Sequence, residues 1–158
     1  TTGTYPFAVM LISKDFNIKG KFGPVGGKTY YSTSTFQTSS TDIGDYATQV
    51  APLNTFGGGE ECVAYTEGEV VTDGTISAYL INSSGILLDN DSSLSECSGQ
   101  ENLLGVMKMS SDLTISDATK GLKMTFTVTN NGMSVVTNEA GSDIFVDSGP
   151  FSVKFETF

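Results

Sequence analysis

Five carboxylates crowd one stretch of this 158-residue chain: Glu60, Glu61, Glu67, Glu69 and Asp73. Two such groups held about 5–10 Å apart across a cleft could serve as acid and base in glycoside hydrolysis at low pH. A second oxygen-rich run, Asp89-Asn90-Asp91-Ser92-Ser93-Leu94-Ser95-Glu96, has the ligand types calcium prefers. It lacks the central glycine of a calcium-binding loop, and Gln100 stands where the closing carboxylate belongs, so it reads as a solvated acidic loop with no metal assigned. Gly57-Gly58-Gly59 has no following Lys-Ser or Lys-Thr and is not a phosphate loop. Tyr30 and Tyr31 are adjacent on a strand-like run, so one of the two rings faces out and could stack on a sugar.

Against these candidates stand the residues that are missing. The chain has no His, no Trp and no Arg, and all eight of its basic residues are Lys. Without His there is no ordinary general base, no proton shuttle and no imidazole ligand for zinc. A serine nucleophile would need a lysine partner, and no Ser-x-x-Lys setting stands out. No catalytic residue, metal ligand or cofactor site is therefore assigned, and the chain is expected not to be an enzyme. A net charge of −10 sets aside nucleic acid and anionic membrane as partners.

The longest apolar run, Phe7–Ile12, is strand-sized and far short of a membrane span. The chain opens on Thr1-Thr2-Gly3 rather than Met, as expected of a processed or truncated product; removal of a secretory signal peptide is one cause. Two acceptor tripeptides, at Asn82 and Asn90, lean towards a glycosylated extracellular protein. Cys62 and Cys97 both border polar, turn-rich sequence. In an oxidising compartment they are expected to form one disulfide worth roughly 4 kcal/mol in the chain-entropy account.

The elements that must position these residues are nearly all strands. In Lys120–Thr137, Leu122, Met124, Phe126 and Val128 alternate with Lys123 and threonines, and Asn130-Asn131-Gly132 supplies residues suited to a tight turn. That predicts a hairpin returning through Met133, Val135 and Val136. Tyr5–Ser13 reads as a first strand whose unbroken apolar run predicts cover on both faces, inside a sheet or between two. Further strands are expected over 16–22, Lys28–Phe36, Cys62–Thr66, Thr75–Asn82, Leu103–Met109, Leu113–Ile115 and Phe151–Phe158, with 37–61 the least regular part. No window carries a helical apolar stripe.

The expectation is a single all-β domain over residues 1–158, an antiparallel β-sandwich or jelly roll with a closed β-barrel as alternative, and little or no helix. Abundant strand formers and scarce catalytic types point to a secreted or cell-surface structural subunit of a coat, wall or filament. Its expected partners are further copies, other surface proteins or polysaccharide. The apolar first strand offers strand exchange as a route of assembly. A carbohydrate-binding module is the alternative, and an acid-active glycosidase using a carboxylate pair is the third reading.

Overall fold

The computed structural model describes residues 1–57, 61–71, 73–94, 96–127, 133–137, 144–148 and 152–158. Among these residues the chain forms thirteen strands and one short 3-10 turn, Ile43–Asp45. The strands are β1 (Gly3–Ser13), β2 (Asp15–Ile18), β3 (Lys21–Val25), β4 (Lys28–Ser32), β5 (Ser39–Ser40), β6 (Gln49–Pro52) and β7 (Tyr65–Val71). There follow β8 (Gly74–Ile81), β9 (Asn102–Ile115), β10 (Leu122–Thr127), β11 (Met133–Thr137), β12 (Ile144–Ser148) and β13 (Ser152–Thr157). Every pairing is antiparallel, and among the described residues no sheet closes on itself. The protein is all-β and of the sandwich type rather than a barrel.

The chain divides into two compact units, the first comprising Thr1–Lys14, Asn54–Thr127 and Ser152–Phe158, the second Asp15–Leu53 and Val128–Phe151. The first unit holds the largest sheet, in the order β1-β9-β8-β7, and a two-stranded sheet, β10-β13, that packs on it through β13 and β9. Its core is Met10, Ala64, Ala78, Leu80, Ile81, Leu103, Met107 and Val153, all buried, together with Cys62 and Cys97. Met10, Ala78, Leu80, Leu103 and Met107 come from the inward positions of β1, β8 and β9, which is why a period-two pattern builds one apolar layer per sheet. Gly74 opens β8 with a positive φ and its backbone against the Lys108 carbonyl, where any Cβ would collide.

The second unit is built from the short sheets β2-β6, β3-β4-β5 and β11-β12, with β12 lying against β2 and β5. Ser32 is wholly buried there and fully used: its hydroxyl accepts from Gly20 N–H at 3.1 Å and donates to the Ala47 carbonyl at 2.8 Å. Buried without those bonds, the hydroxyl would be destabilising.

The tertiary structure corrects several local expectations. Among the described residues β10 and β11 do not pair as the hairpin expected across 120–137. β10 pairs instead with β13, setting Met124 opposite Phe155, Phe126 opposite Val153 and Lys123 opposite Glu156, while β11 pairs with β12. The turn residues Asn130, Asn131 and Gly132 lie outside the described residues. A turn signal marks where a chain can reverse, but cross-strand pairs between apolar faces and opposite charges decide which strands meet. The segments expected as 103–109 and 113–115 are one strand, β9, because β1 pairs with it on both sides of an irregularity between Tyr5 and Phe7. Pro6 sits at that break, where it has no N–H to give to a ladder. The strand expected over 28–36 ends at Ser32, and 16–22 is split between β2 and β3.

The sharpest correction concerns the first strand. Among the described residues β1 is not inside a sheet but an edge strand paired with β9 alone, and Phe7, Val9 and Leu11 on its outer face are 53%, 64% and 61% exposed.

Candidate functional site

Two of the carboxylates that the sequence put forward for chemistry are engaged by neighbouring hydroxyls. Glu67 accepts a hydrogen bond from the Tyr79 hydroxyl at 3.1 Å, and Glu69 one from the Thr66 hydroxyl at 3.0 Å. Glu60 lies outside the described residues. Among the described residues no three His, Cys, Asp or Glu side chains converge on one point. In the acidic loop, the Asp91 carboxylate accepts from both the hydroxyl and the N–H of Ser93, at 2.6 and 2.8 Å, which holds its pKa below the ordinary aspartate value. Tyr31 lies 5.3 Å from the ring of Tyr46, and the Lys19 ammonium sits 4.6 Å over that second ring, so Tyr31 is engaged within its own unit.

Cys62 and Cys97 are joined in a disulfide with a Cα–Cα distance of 4.7 Å. The backbone of Cys62 also bridges to that of Asp91. The two acceptor asparagines are both anchored by their side-chain carbonyl. Asn82 Oδ1 accepts from the N–H groups of Ser84 and Ile86, and Asn90 Oδ1 accepts from Ala64 N–H at 2.7 Å. A glycan would be carried on the amide nitrogen of either residue.

The constructed site is the seat of β1. On its inner face Met10 stands opposite Gly105 of β9, with Ala78 of β8 next in the same row. A Cβ built on Gly105 would lie 2.5 Å from Met10 Cε and 2.9 Å from its Cγ. The methionine therefore fills a notch left by the missing side chain, and it is only 8% exposed. Flanking rows carry Ala8 opposite Met107 and Ile12 opposite Leu103. The signal for this notch was present in the sequence as a glycine interrupting Leu103-Leu104-Gly105-Val106-Met107, since a glycine within a strand marks a close approach.

The end of β1 is held by a polar clamp. Lys14 Nζ donates to Asn54 Oδ1 at 2.8 Å, and Gln100 Nε2 donates to the same oxygen at 3.1 Å. The Asn54 carbonyl accepts from Cys97 N–H at 3.0 Å, which ties the clamp to the disulfide. Beyond Lys14 the chain leaves this unit and returns only at Asn54. β1 thus completes the sheet of a unit that the chain leaves directly after it.

The outer face of the same sheet is equally regular. One row runs from Leu11 through Leu104 and Tyr79 to Tyr65, whose ring stacks on that of Tyr79 at 6.3 Å. A second begins with Val9, Val106 and Ser77, and a third runs from Phe7 through Lys108 and Thr75 to Val70, which is 85% exposed.

Comparison with known proteins finds no match: no family model, no curated protein and no solved structure is similar enough to indicate kinship. Among the described residues no helix is long and apolar enough to cross a membrane.

Proposed function

We propose that this chain is a non-enzymatic structural subunit of an extracellular or cell-surface assembly, a coat, wall layer or filament, whose copies join by exchanging β1. The observation that carries this reading is the position of β1: an edge strand, apolar on both faces, paired among the described residues with β9 alone and followed directly by a segment that belongs to the other unit. A strand supplied by a second copy would make the same ten registered pairs and seat the same Met10 in the same notch. Exchange of identical elements leaves contact energy nearly unchanged, so concentration and linker geometry decide between closed monomer and linked copies. The disulfide and the two glycan acceptor sites support an oxidising, extracytoplasmic setting. The carbohydrate-binding reading loses support from Tyr30 and Tyr31, both half-buried, with the Tyr31 ring already packed on Tyr46.

The test uses full-length chains carrying single cysteines. Ile12 and Leu103 are opposite each other on the inner face of the sheet, with Cβ atoms about 5 Å apart for directly opposed partners. Chains with Ile12→Cys are mixed with chains with Leu103→Cys, allowed to assemble and oxidised. Exchange yields a two-chain species linked between positions 12 and 103. If links form only inside a chain that carries both substitutions, the strand stays at home and the proposal fails.

A further inference from the structure

Strand exchange leaves one feature unaccounted for. A β1 from a neighbouring copy would occupy the place of the native one, so its outer residues would be as uncovered as before. Yet Phe7, Val9 and Leu11, with Tyr65 and Val70 at the far edge, expose an apolar field on the side of a sheet that normally faces water and carries polar residues. We infer that this outer face of β1-β9-β8-β7 is a second self-association surface, through which strand-linked copies pack side by side on further copies of the same chain. The inference rests on the assembly reading above and adds a contact to it.

Charge identifies the occupant. The chain carries −10 overall, so two copies repel wherever their acidic surfaces meet. Across its three rows the outer face bears two charged side chains of opposite sign, Lys108 and Glu67, and the Glu67 carboxylate is engaged by the Tyr79 hydroxyl. That near-neutral patch is where a like-charged copy can approach. One lysine is too little for an anionic lipid surface. The exposed ring of Tyr65 stacks on that of the half-buried Tyr79, leaving less free ring face for a sugar.

Size says what kind of contact it is. Four strands about 4.8 Å apart and three rows about 7 Å apart give roughly 300–400 Å² per copy, or about 600–800 Å² for the pair. A free-standing specific interface buries about 1,200–2,000 Å². The face is therefore too small to hold an isolated dimer and large enough to add up when many copies are already linked in a row.

Hydroxyl-radical footprinting of the full-length chain, dilute and then assembled, tests this alongside the 12–103 cross-link. The expected result is several-fold slower oxidation of Phe7, Leu11 and Tyr65 on assembly, with Val9→Lys abolishing that protection and the lateral association while the cross-link persists. Cross-linked chains whose Phe7, Leu11 and Tyr65 react as in the dilute protein would overturn the second surface and leave strand exchange standing. Protection that rises with concentration without a cross-link would keep the surface and overturn exchange. An unlinked monomer with all three side chains reactive would overturn both. If Val9→Lys fails to fold, the wild-type footprint alone decides.

Discussion

Met10 and Gly105 should be energetically coupled, and the size of the coupling follows from their geometry. Met10→Ala removes Cγ, Sδ and Cε from a site that is 8% exposed. Truncations of this kind cost about 2–5 kcal/mol, depending on how far the surroundings close in. Beneath Met10 lies a glycine with no side chain to move, so about 3 kcal/mol is expected. Gly105→Ala alone sets a Cβ 2.5 Å from Met10 Cε and 2.9 Å from Cγ. The terminal methyl can swing aside, but Cγ is close to the backbone and cannot. Overpacking of about 2 kcal/mol results, offset by roughly 0.5–1 kcal/mol from the stiffer unfolded chain, for a net cost of about 1 kcal/mol. In the double variant the new Cβ occupies space that the methionine vacated, so the total should be about 2 kcal/mol instead of the roughly 4 kcal/mol expected of independent sites. Amide hydrogen exchange across residues 103–107 reads these values locally, which suits a chain built of two units. At about 1.4 kcal/mol per tenfold change, exchange quickens about 150-fold for Met10→Ala, about 5-fold for Gly105→Ala and about 30-fold for the pair. If the two single effects simply multiply, the notch is incidental and the reasoning about β1 is wrong.

Asn90→Ala should destabilise the protein by about 1–3 kcal/mol, because it strands the N–H of Ala64, which is fully buried, whereas Asn90→Asp keeps an acceptor there while removing the acceptor tripeptide and adding a carboxylate between Asp89 and Asp91. Equal denaturation midpoints for the two variants would contradict this. Reducing the Cys62–Cys97 bond, which spans 35 residues, should remove roughly 4 kcal/mol and lower Tm by roughly 10 °C in calorimetry, and an unchanged Tm would refute it. Glu156 is hydrogen-bonded by Lys154 at 2.9 Å and also pairs with Lys123 at 3.7 Å, which holds its carboxyl below the ordinary glutamate value, as Ser93 does for Asp91. Both acids are depressed in the folded state, so their contribution is complete above about pH 4.5 and is lost as pH falls below their folded values. Lys154 is raised by Glu156, so its share is complete below about pH 10 and is lost as pH rises through the raised value. Melting temperature followed from pH 6 down to 2 should fall, and Glu156→Gln should flatten part of that fall.

Period-two alternation made the strand content legible, because which face a side chain takes along a strand is a local property of the backbone. Leu122, Met124 and Phe126 do share a face, and Lys123 lies on the other side opposite Glu156. The disulfide was legible for a simpler reason: a chain with two cysteines has one internal pairing. Among the site residues, the apolar Tyr5–Ser13 run stood out in the sequence without naming its counterpart, and Gly105 passed as an ordinary position of the strand expected over Leu103–Met109. The clamp of Lys14, Asn54 and Gln100 was invisible, since three ordinary polar residues up to 86 positions apart carry no signal of meeting.

What the sequence by itself determined is the class of backbone and the charge: short strands rich in Thr, Val and Phe, punctuated by Gly and Asn, in a chain with a net charge of −10. What the tertiary structure alone decided is the choice of partners. The Asn130-Asn131-Gly132 signal suggested one neighbour for β10, and β13 from the far end of the chain took that place. The run from Phe7 to Ile12 implied burial on two faces, and the fold covered only one. Face alternation depends on bonds between adjacent residues, whereas strand order depends on which distant apolar faces and notches fit, and a linear pattern does not encode that fit.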